Sequence, residues 1–333
     1  MAHNRILRQY KRGIPLSPAV FLLILIGIAI TFTILPTAAA AETDGHPLKS
    51  TIIPTEATAE ADKKKPSVDE VARELANPNS SLATLTLKNQ YRWYTGDLPG
   101  ADDQDNYTLL FQPVFPLSLP QDGSGDKATL FFRPGIPLVA DQPVPRSENG
   151  GVDWDGISAL GDIGFDLSYG VAKKSGLLWA LGMVGTLPTA TDPDVAGKQL
   201  RLGPEFLLAK FEKWGLYGIF PSHQWDVAGW SEESFSTTQI QPVLKFLLGD
   251  AWTTGSSPIG FYNWESSDWT IPVNLFISKT VMIGKTPWKF KIDTNYYVDQ
   301  PDAFGPKWMI GFEISPVVNN PFQKGFNRLI GAN

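Results

Sequence analysis

The sequence predicts an all-β fold: a single antiparallel transmembrane β-barrel of about twelve strands, with a short N-terminal α-helix. Three observations lead to this prediction. Apolar and polar residues alternate with period two from Leu82 to near Val318, as they do in strands with one apolar and one polar face. Most segments exceed the roughly 9–11 residues that a tilted membrane strand needs, whereas soluble strands usually have about 5–6. The connections alternate between long and short, as in outer-membrane barrels.

The N-terminus predicts export. Four basic residues precede an uncharged, mostly apolar run over 19–35, and a short run of mainly small residues, Pro36 to Ala41, follows. This order is typical of a secretory signal peptide, which we place at residues 1–41, with cleavage after Ala40 or Ala41. The apolar run is long for a signal peptide and short for a membrane-spanning helix of about 20 residues. An uncleaved anchor is therefore the alternative.

A linker and a helix come next. Residues 42–66 have almost no large apolar side chains and predict a disordered linker, because such a segment cannot bury enough surface to fold alone. A short amphipathic helix is predicted over 67–77, where Ser67 and Glu70 have the spacing of a capping box and apolar residues over 68–75 repeat at helical spacing. The helix either caps one end of the main domain or enters the barrel lumen as a plug.

The barrel is predicted over 82–318, and a C-terminal tail follows at 319–333. The strand-like segments are 82–94, 106–118, 128–140, 157–172, 177–188, 198–211, 215–227, 235–248, 251–263, 269–281, 287–298 and 306–318. No helical period separates them, so parallel α/β folds are not expected.

The connections also differ in charge. The odd-numbered ones, of which 141–156 is the longest, hold most of the acidic loop residues. The even-numbered ones hold lysines instead: Lys127, Lys173, Lys174, Lys213 and Lys285. With both ends of the barrel on the periplasmic side, the odd-numbered connections face outward, where outer-membrane barrels have their longer loops. A soluble sandwich gives no reason to sort charge in this way.

The positions of the tryptophans and prolines also bear on whether the segments form a membrane barrel. The eleven tryptophans fall mostly near predicted strand ends, where membrane interfaces favour aromatic residues. Seven prolines lie inside the segments: Pro113, Pro134, Pro204, Pro221, Pro242, Pro258 and Pro272. They count against regular strands because proline donates no hydrogen bond to a ladder. Bulges at one level of the wall would reconcile them with a barrel.

Strand parity separates a lipid-facing set from a lumen-facing set. In the fourth segment Phe165 and Leu167 lie on one face and Asp166 on the other, and the same rule puts Lys88 and Lys289 on the polar face. The candidate lumen-lining residues are Arg92, Arg133, Asp162, Asp166, Arg201, Glu205, Lys245, Lys291, Asp293 and Glu313. They form either a self-satisfied polar core or a selectivity lining. Both signs are present, so strong ion selectivity does not follow. We expect eight of them to pair across strands into a network at mid-height: Arg92, Arg133, Asp162, Asp166, Glu205, Lys245, Asp293 and Glu313.

Other function classes find little support. The chain has no cysteine and a net charge of −6, which excludes disulfide frameworks and thiolate metal sites and argues against nucleic acid as a partner. One histidine in the barrel makes a transition-metal site unexpected, and no cofactor motif is present. Ser222, His223 and Asp226 are the candidates for hydrolase chemistry, but Ser222 and His223 point to opposite faces of a regular strand. We predict no catalytic residue.

Several short motifs resemble one bacterial outer-membrane family. Leu160-Gly161-Asp162-Ile163 resembles the Gly-Leu-Gly-Asp-Ile signature of the family named for the meta-pathway of phenol degradation, with Ala159 in place of the first glycine. The remaining matches resemble a subgroup often mislabelled neuromedin U: Phe111-Gln-Pro113, Phe132-Arg-Pro134, Gly203-Pro-Glu205, His223-Gln-Trp-Asp226, Trp269-Thr-Ile-Pro272 and Asn295-Tyr-Tyr297. The resemblance covers about 67–318 and implies a transporter barrel. The chain departs from the usual terminal aromatic, because its last strand stops near Val318.

The sequence therefore predicts a protein of the outer membrane that passes small molecules, with hydrophobic or aromatic substrates resting on family analogy alone. The expected partners are outer-membrane lipid and lipopolysaccharide, the barrel-assembly machinery and an unidentified small solute. One alternative is a closed structural or adhesion barrel whose lumen is filled by its own side chains, since twelve strands leave a narrower lumen than porins have. A lesser alternative is an outer-membrane hydrolase.

Overall fold

The computed structural model describes residues 66–121, 123–148 and 150–331. The predicted signal peptide and nearly all of the predicted linker lie outside the described residues. The strands are β1 (Ala83–Thr95), β2 (Asp105–Val114), β3 (Leu117–Ser118), β4 (Lys127–Glu148), β5 (Gly151–Leu160), β6 (Ile163–Ala172), β7 (Leu177–Leu187), β8 (Gln199–Phe211), β9 (Gly215–Gly229), β10 (Ser236–Gly249), β11 (Trp252–Ser256), β12 (Gly260–Asn263), β13 (Asp268–Ile283), β14 (Thr286–Asp299) and β15 (Gly305–Val318). The helices are α1 (Val68–Ala76) and α2 (Gln323–Leu329), with a 3-10 turn at Ala101–Asp103.

These strands form one closed antiparallel barrel. The first strand pairs with the last, for example Lys88 with Glu313, and every neighbouring pair runs antiparallel around the wall. Three positions in the wall are occupied by two short strands in line, β2 with β3, β5 with β6, and β11 with β12. The barrel thus has twelve strand positions, which confirms the predicted fold class.

The two ends of the barrel differ. One, here called the turn end, carries the connections 119–126, 173–176, 212–214, 250–251 and 284–285 and both ends of the barrel chain. The other, the loop end, carries 96–104, 188–198, 230–235, 264–267, 300–304 and the β4–β5 hairpin. The expectation of a long loop over 141–156 is wrong. The structure continues β4 to Glu148 and starts β5 at Gly151, so this segment is a projecting hairpin.

The outside of the barrel wall is apolar. Leu181 and Leu275 are 60% and 64% exposed, and large apolar residues are also exposed on most other strands. Soluble monomers rarely expose a contiguous apolar surface of this extent. The strand neighbours of these residues on the opposite face point into the barrel, as the period of two requires. Neither helix of the described residues is long and apolar enough to cross a membrane.

Some of the prolines mark irregularities of the wall. Pro258 lies between β11 and β12, where strand pairing is interrupted, and Pro242 of β10 pairs with Ile219 of β9 but faces that interruption on its other side. Pro272 lies at a register shift between β13 and β14. The missing N–H is tolerated at such places because no ladder bond is required there. Pro204 and Pro221 each pair on one side, with Met183 and Ile240, and on the other side lie where the pairing between β8 and β9 is interrupted.

Candidate lumen site

The barrel encloses a cavity of about 760 Å³. Nine of the ten predicted lumen residues line it: Arg92, Arg133, Asp162, Asp166, Glu205, Lys245, Lys291, Asp293 and Glu313. Lys88 and Lys289, which share their parity, line it too. Arg201 is not among the lining residues. These nine side chains therefore share one cavity, while the pairing of these groups depends on contacts between distant strands.

A basic cluster lies on β1, β14 and β15. Strand register places Lys88, Glu313 and Lys291 side by side. The carboxylate of Glu313 accepts ion pairs from Lys289 at 2.8 Å and from Lys291 at 3.0 Å. Lys291 also lies 3.4 Å from Asp293. Glu313 is only 5% exposed, and a buried carboxylate is stable when cations surround it in this way.

Room for Asp293 comes from a glycine on the neighbouring strand. Gly311 pairs with Asp293 across β14 and β15, and a Cβ atom at Gly311 would lie 2.7 Å from the Asp293 carboxylate oxygen Oδ1. Any larger residue would have to push this carboxylate away. Gly311 therefore leaves the space that the Asp293 carboxylate occupies beside the lysines.

A second charged group lies on β4, β6 and β8. Arg133 donates from Nε to Asp166 Oδ1 at 2.8 Å, a pairing that strand register sets directly. Glu205 is 4% exposed, and its Oε1 atom has no hydrogen-bond partner among the described residues. Arg133 attracts both carboxylates. One guanidinium is therefore shared between two acids, a buried one, Glu205, and a partly buried one, Asp166.

The direct contacts do not form the predicted single network: the ion pairs of these residues fall into two groups. Arg92 donates to Gln90 Oε1 at 2.6 Å and to Thr108 Oγ1 at 3.2 Å, both neutral partners. Arg201 donates to Gln199 Oε1 at 3.3 Å and lies 3.8 Å from the centre of the Phe235 ring.

Asp162 has a different role from the other lumen candidates. Its carboxylate accepts hydrogen bonds from the backbone N–H groups of Thr189, Ala190 and Gly197, at 3.0, 2.9 and 2.7 Å. It therefore fixes the 188–198 loop at the point where β5 passes into β6. At the adjacent Gly161 a Cβ atom would lie 3.0 Å from Pro137 Cγ. The Leu160–Ile163 motif is thus a structural junction in this chain.

Apolar side chains form another part of the cavity lining. Leu207, Leu216 and Phe131 are almost completely buried, and Phe220 and Phe276 also line the cavity. Leu207 and Leu216 belong to an apolar cluster of β7, β8 and β9 against which Phe220 packs. The lumen therefore combines an apolar part with two charged groups.

Helix α1 lies at the turn end of the lumen. Its capping box is present, with Ser67 Oγ accepting from Glu70 N at 3.2 Å and Glu70 Oε2 accepting from Ser67 N at 2.7 Å. Arg73 donates to the carbonyl oxygen of Glu212 at 2.9 Å, and the Asp69 carboxylate accepts from Ala251 N. Both contacts attach the helix to turns of the barrel.

The end of α1 and the residues after it line the lumen. Ala76 and Asn77 line the cavity, and the carbonyl oxygen of Ala76 accepts from Lys245 Nζ at 3.0 Å. Asn79 is buried and donates from Nδ2 to the carbonyl oxygens of Trp179 and Val171, at 3.1 and 3.3 Å. No local sequence pattern predicts these long-range contacts to β6, β7 and β10. The segment narrows the lumen at this end.

The hydrolase candidates do not form a catalytic triad. His223 Nδ1 lies 2.7 Å from Thr238 Oγ1, and its ring packs on Trp225 with centroids 4.1 Å apart. Ser222 faces the cavity instead. Asp226 accepts from the backbone N–H of Phe235 at 2.8 Å. Within the described ranges, no group of three or more metal-type ligands occurs.

Comparison with known proteins supports the barrel fold. A scan against protein-family models gives no match, and a search of curated proteins gives none. Among solved structures, the chain is similar to an outer membrane channel from Pseudomonas putida F1, with TM-score 0.50, 10% identity, and 72% of this chain and 96% of that chain covered. The NanC porin gives TM-score 0.41, 11% identity and coverages of 71% and 99%. An anion-selective porin from Comamonas acidovorans gives 0.31, 9%, 70% and 97%. At these identities, the likeness to the Pseudomonas putida channel concerns the fold.

Proposed function

We propose that this chain is an outer-membrane β-barrel channel that passes small molecules carrying aromatic or other apolar groups. The observation that carries the proposal is a cavity of about 760 Å³ inside a closed wall whose outer face is apolar. A closed barrel satisfies its backbone hydrogen bonds internally, so its apolar outer face is suited to lipid. The cavity volume lies within the usual range of small-molecule sites.

The substrate class rests on two weaker supports. Phenylalanine side chains from several strands line the cavity, among them Phe131, Phe220 and Phe276, and aromatic rings pack favourably against aromatic substrates. The short motifs of the sequence resemble those of a phenol-pathway family of transporter barrels, which is support by analogy. Together they favour aromatic solutes over sugars or free ions.

In this proposal the turn end faces the periplasm and the loop end faces the cell exterior, as in other outer-membrane barrels. The outer face of the wall contacts outer-membrane lipid and lipopolysaccharide, and barrel-assembly machinery inserts the chain. Cell fractionation tests the placement. We expect the protein in the outer-membrane fraction, with an unheated gel band that shifts on boiling. Recovery in the soluble periplasmic fraction would contradict the proposal.

Planar-bilayer recording tests the channel itself. The full chain, reconstituted after purification, should give discrete conductance steps in potassium chloride. The competing function is a closed structural or adhesion barrel, and one observation favours it: α1 and the segment through Asn79 narrow the turn end. No conductance at any voltage, from protein with the heat-shifted band of a folded barrel, would favour that alternative.

A variant of α1 separates the two functions. Arg73 attaches the helix to the β8–β9 turn and lies 4.3 Å from the ring centre of Phe211. In a channel with a displaceable helix, Arg73→Ala should raise the open probability or the conductance. Arg328→Ala, in the exposed helix α2, is the matched control and should change neither. In a barrel closed by the side chains of its own wall, neither variant should give conductance.

A further inference from the structure

We infer that the lumen holds a binding site for the carboxylate of a small aromatic acid, formed by Lys88 and Lys245 beside the Lys289–Lys291–Glu313 cluster. This inference rests on the proposed channel function and specifies its substrate class. Its basis is the balance of charge in this part of the cavity, the hydrogen-bonding capacity that remains on two ammonium groups, and the apolar side chains that line the same cavity.

The charge around this part of the cavity is unbalanced. Four ammonium groups, those of Lys88, Lys245, Lys289 and Lys291, line the same cavity and interact electrostatically with one another. Two carboxylates, Glu313 and Asp293, accompany them, and both are already engaged with Lys289 or Lys291. Uncompensated charge in a place of restricted hydration is costly. A bound anion would remove part of this cost.

Two of the ammonium groups have hydrogen-bonding capacity left. A lysine ammonium has three donors. Lys245 uses one of them, toward the carbonyl oxygen of Ala76. Lys88 makes no ion pair or hydrogen bond with any residue in the described part of the chain, although Glu313 and Asp166 attract it at longer range. Charge-assisted bonds from two such donors to a carboxylate are stronger than bonds between neutral groups.

The apolar side chains beside the lysines determine what the rest of the ligand must be. Val243 and Lys245 are successive lumen-facing residues of β10. Leu216, Phe220 and Phe276 line the same cavity. An apolar ring placed there would be removed from water while its acidic group stays near the lysines. A benzoate-like molecule fits both requirements, whereas the acidic pair of Asp166 and Glu205 would repel a second negative charge.

Calorimetric binding to the purified full chain in neutral detergent tests the site. The probes are benzoate, benzyl alcohol and benzylamine at about pH 6, where both lysines are charged; the three share one ring and differ in charge. We expect benzoate to bind at least tenfold more tightly than the other two. The double variant Lys88→Met, Lys245→Met should weaken benzoate binding at least tenfold, and Lys88→Arg, Lys245→Arg should retain most of it.

The control variant removes the same number of positive charges from residues outside the site. Lys210 and Lys279 do not line the cavity, and they donate to backbone carbonyls at the turn end. Lys210→Met, Lys279→Met should leave benzoate binding unchanged. The gel shift on boiling confirms that each variant is folded. Unchanged benzoate affinity in the Lys88/Lys245 variant, equal loss in the control, or equal binding of all three probes would overturn the inference.

Conductance of the same preparations separates this inference from the proposed function. Benzoate binding that depends on Lys88 and Lys245, in a protein without conductance, would support the site and contradict the channel. Conductance in a protein that does not distinguish benzoate from benzylamine would support the channel and overturn the site. In a protein with both properties, benzoate should reduce the current of the wild type more than that of the Lys88/Lys245 variant.

Discussion

Arg133 on β4 and Asp166 on β6 lie opposite each other in strand register and form a 2.8 Å ion pair inside the barrel. The pair is largely buried, with side-chain exposures of 19% and 15%. Glu205 approaches the same guanidinium from β8, so one cation stabilises two acids. Breaking a buried ion pair costs more free energy than breaking an exposed one, because the remaining charge stays out of water.

The first prediction follows from this sharing. Arg133→Ala leaves Asp166 and Glu205 without their cation and should lower the unfolding free energy by about 3–5 kcal/mol. Urea unfolding of the barrel in detergent or lipid measures it. Arg146→Ala, which removes an exposed arginine with two ion pairs at the loop end, is the control and should cost about 0–1 kcal/mol per pair.

A second substitution tests the cause of that loss. Adding Asp166→Ala to Arg133→Ala removes one of the two unpaired carboxylates and should restore part of the lost stability. If Arg133→Ala unfolds at the same urea concentration as the wild type, the guanidinium does not stabilise this group of charges.

The outer face of the wall gives the second prediction. Leu167 of β6 is 48% exposed on the apolar side of the barrel, and Leu167→Arg should block assembly, because a cation near the bilayer midplane costs about 2–4 kcal/mol. The heat-shifted band on unheated gels measures assembly. Leu329→Arg, on the exposed surface of α2 outside the wall, is the control. Normal assembly of both variants would mean that Leu167 does not face lipid.

The sequence predicts the faces of the wall better than the contacts made across it. The period of two depends only on local geometry, so Asp166 and Leu167 are separated correctly by parity alone. Helix α1 is equally local in origin, because the Ser67–Glu70 capping box depends on residues three apart. These features need no knowledge of which strands meet in space.

Other features depend on distant partners and could not be read in this way. Prolines and glycines over 141–156 suggest a loop, but the structure has a paired hairpin there. Its Arg146 contacts Asp155 across the hairpin and Asp194 of another loop. Helix α2 falls in a tail without a predicted element, and Gln323 attaches it to the backbone of Ser118, 205 residues earlier. Asp162 lines the cavity, as parity predicts, but the sequence does not show that its carboxylate binds the 188–198 loop.

Asp162 leads to the third prediction. Asp162→Ala removes three hydrogen bonds to backbone N–H groups of the 188–198 loop, and each bond to a charged acceptor is worth about 1.5–3 kcal/mol. The loop should open locally while the barrel stays folded. Limited proteolysis should therefore cut within 188–198 much faster than in the wild type. Asp103→Ala, an exposed acid in the 96–104 loop, should leave the cleavage pattern unchanged, and equal patterns for both variants would contradict the role of Asp162.

The last prediction concerns pH and the contact between the β4–β5 hairpin and the 188–198 loop. Arg146 Nη2 donates to Asp194 Oδ2, and this hydrogen bond lowers the pKa of Asp194 below its ordinary value. The contact is therefore fully formed above the ordinary aspartate pKa of about 3.9. It is lost only as the pH falls through the lower pKa of the folded state. The hairpin and the loop should stay attached at pH 5 and separate only below about pH 4.

Spin labels measure this directly, since the chain contains no cysteine. Labels at Ser147→Cys and Ala196→Cys should give a narrow distance distribution at pH 7 and at pH 5 and a broad one at about pH 2.5, below the aspartate range. Adding Asp194→Asn should give a broad distribution at every pH, whereas Asp153→Asn, on the same hairpin, should behave like the parent. Broadening already between pH 6 and pH 5 would show that Asp194 is not the titrating group.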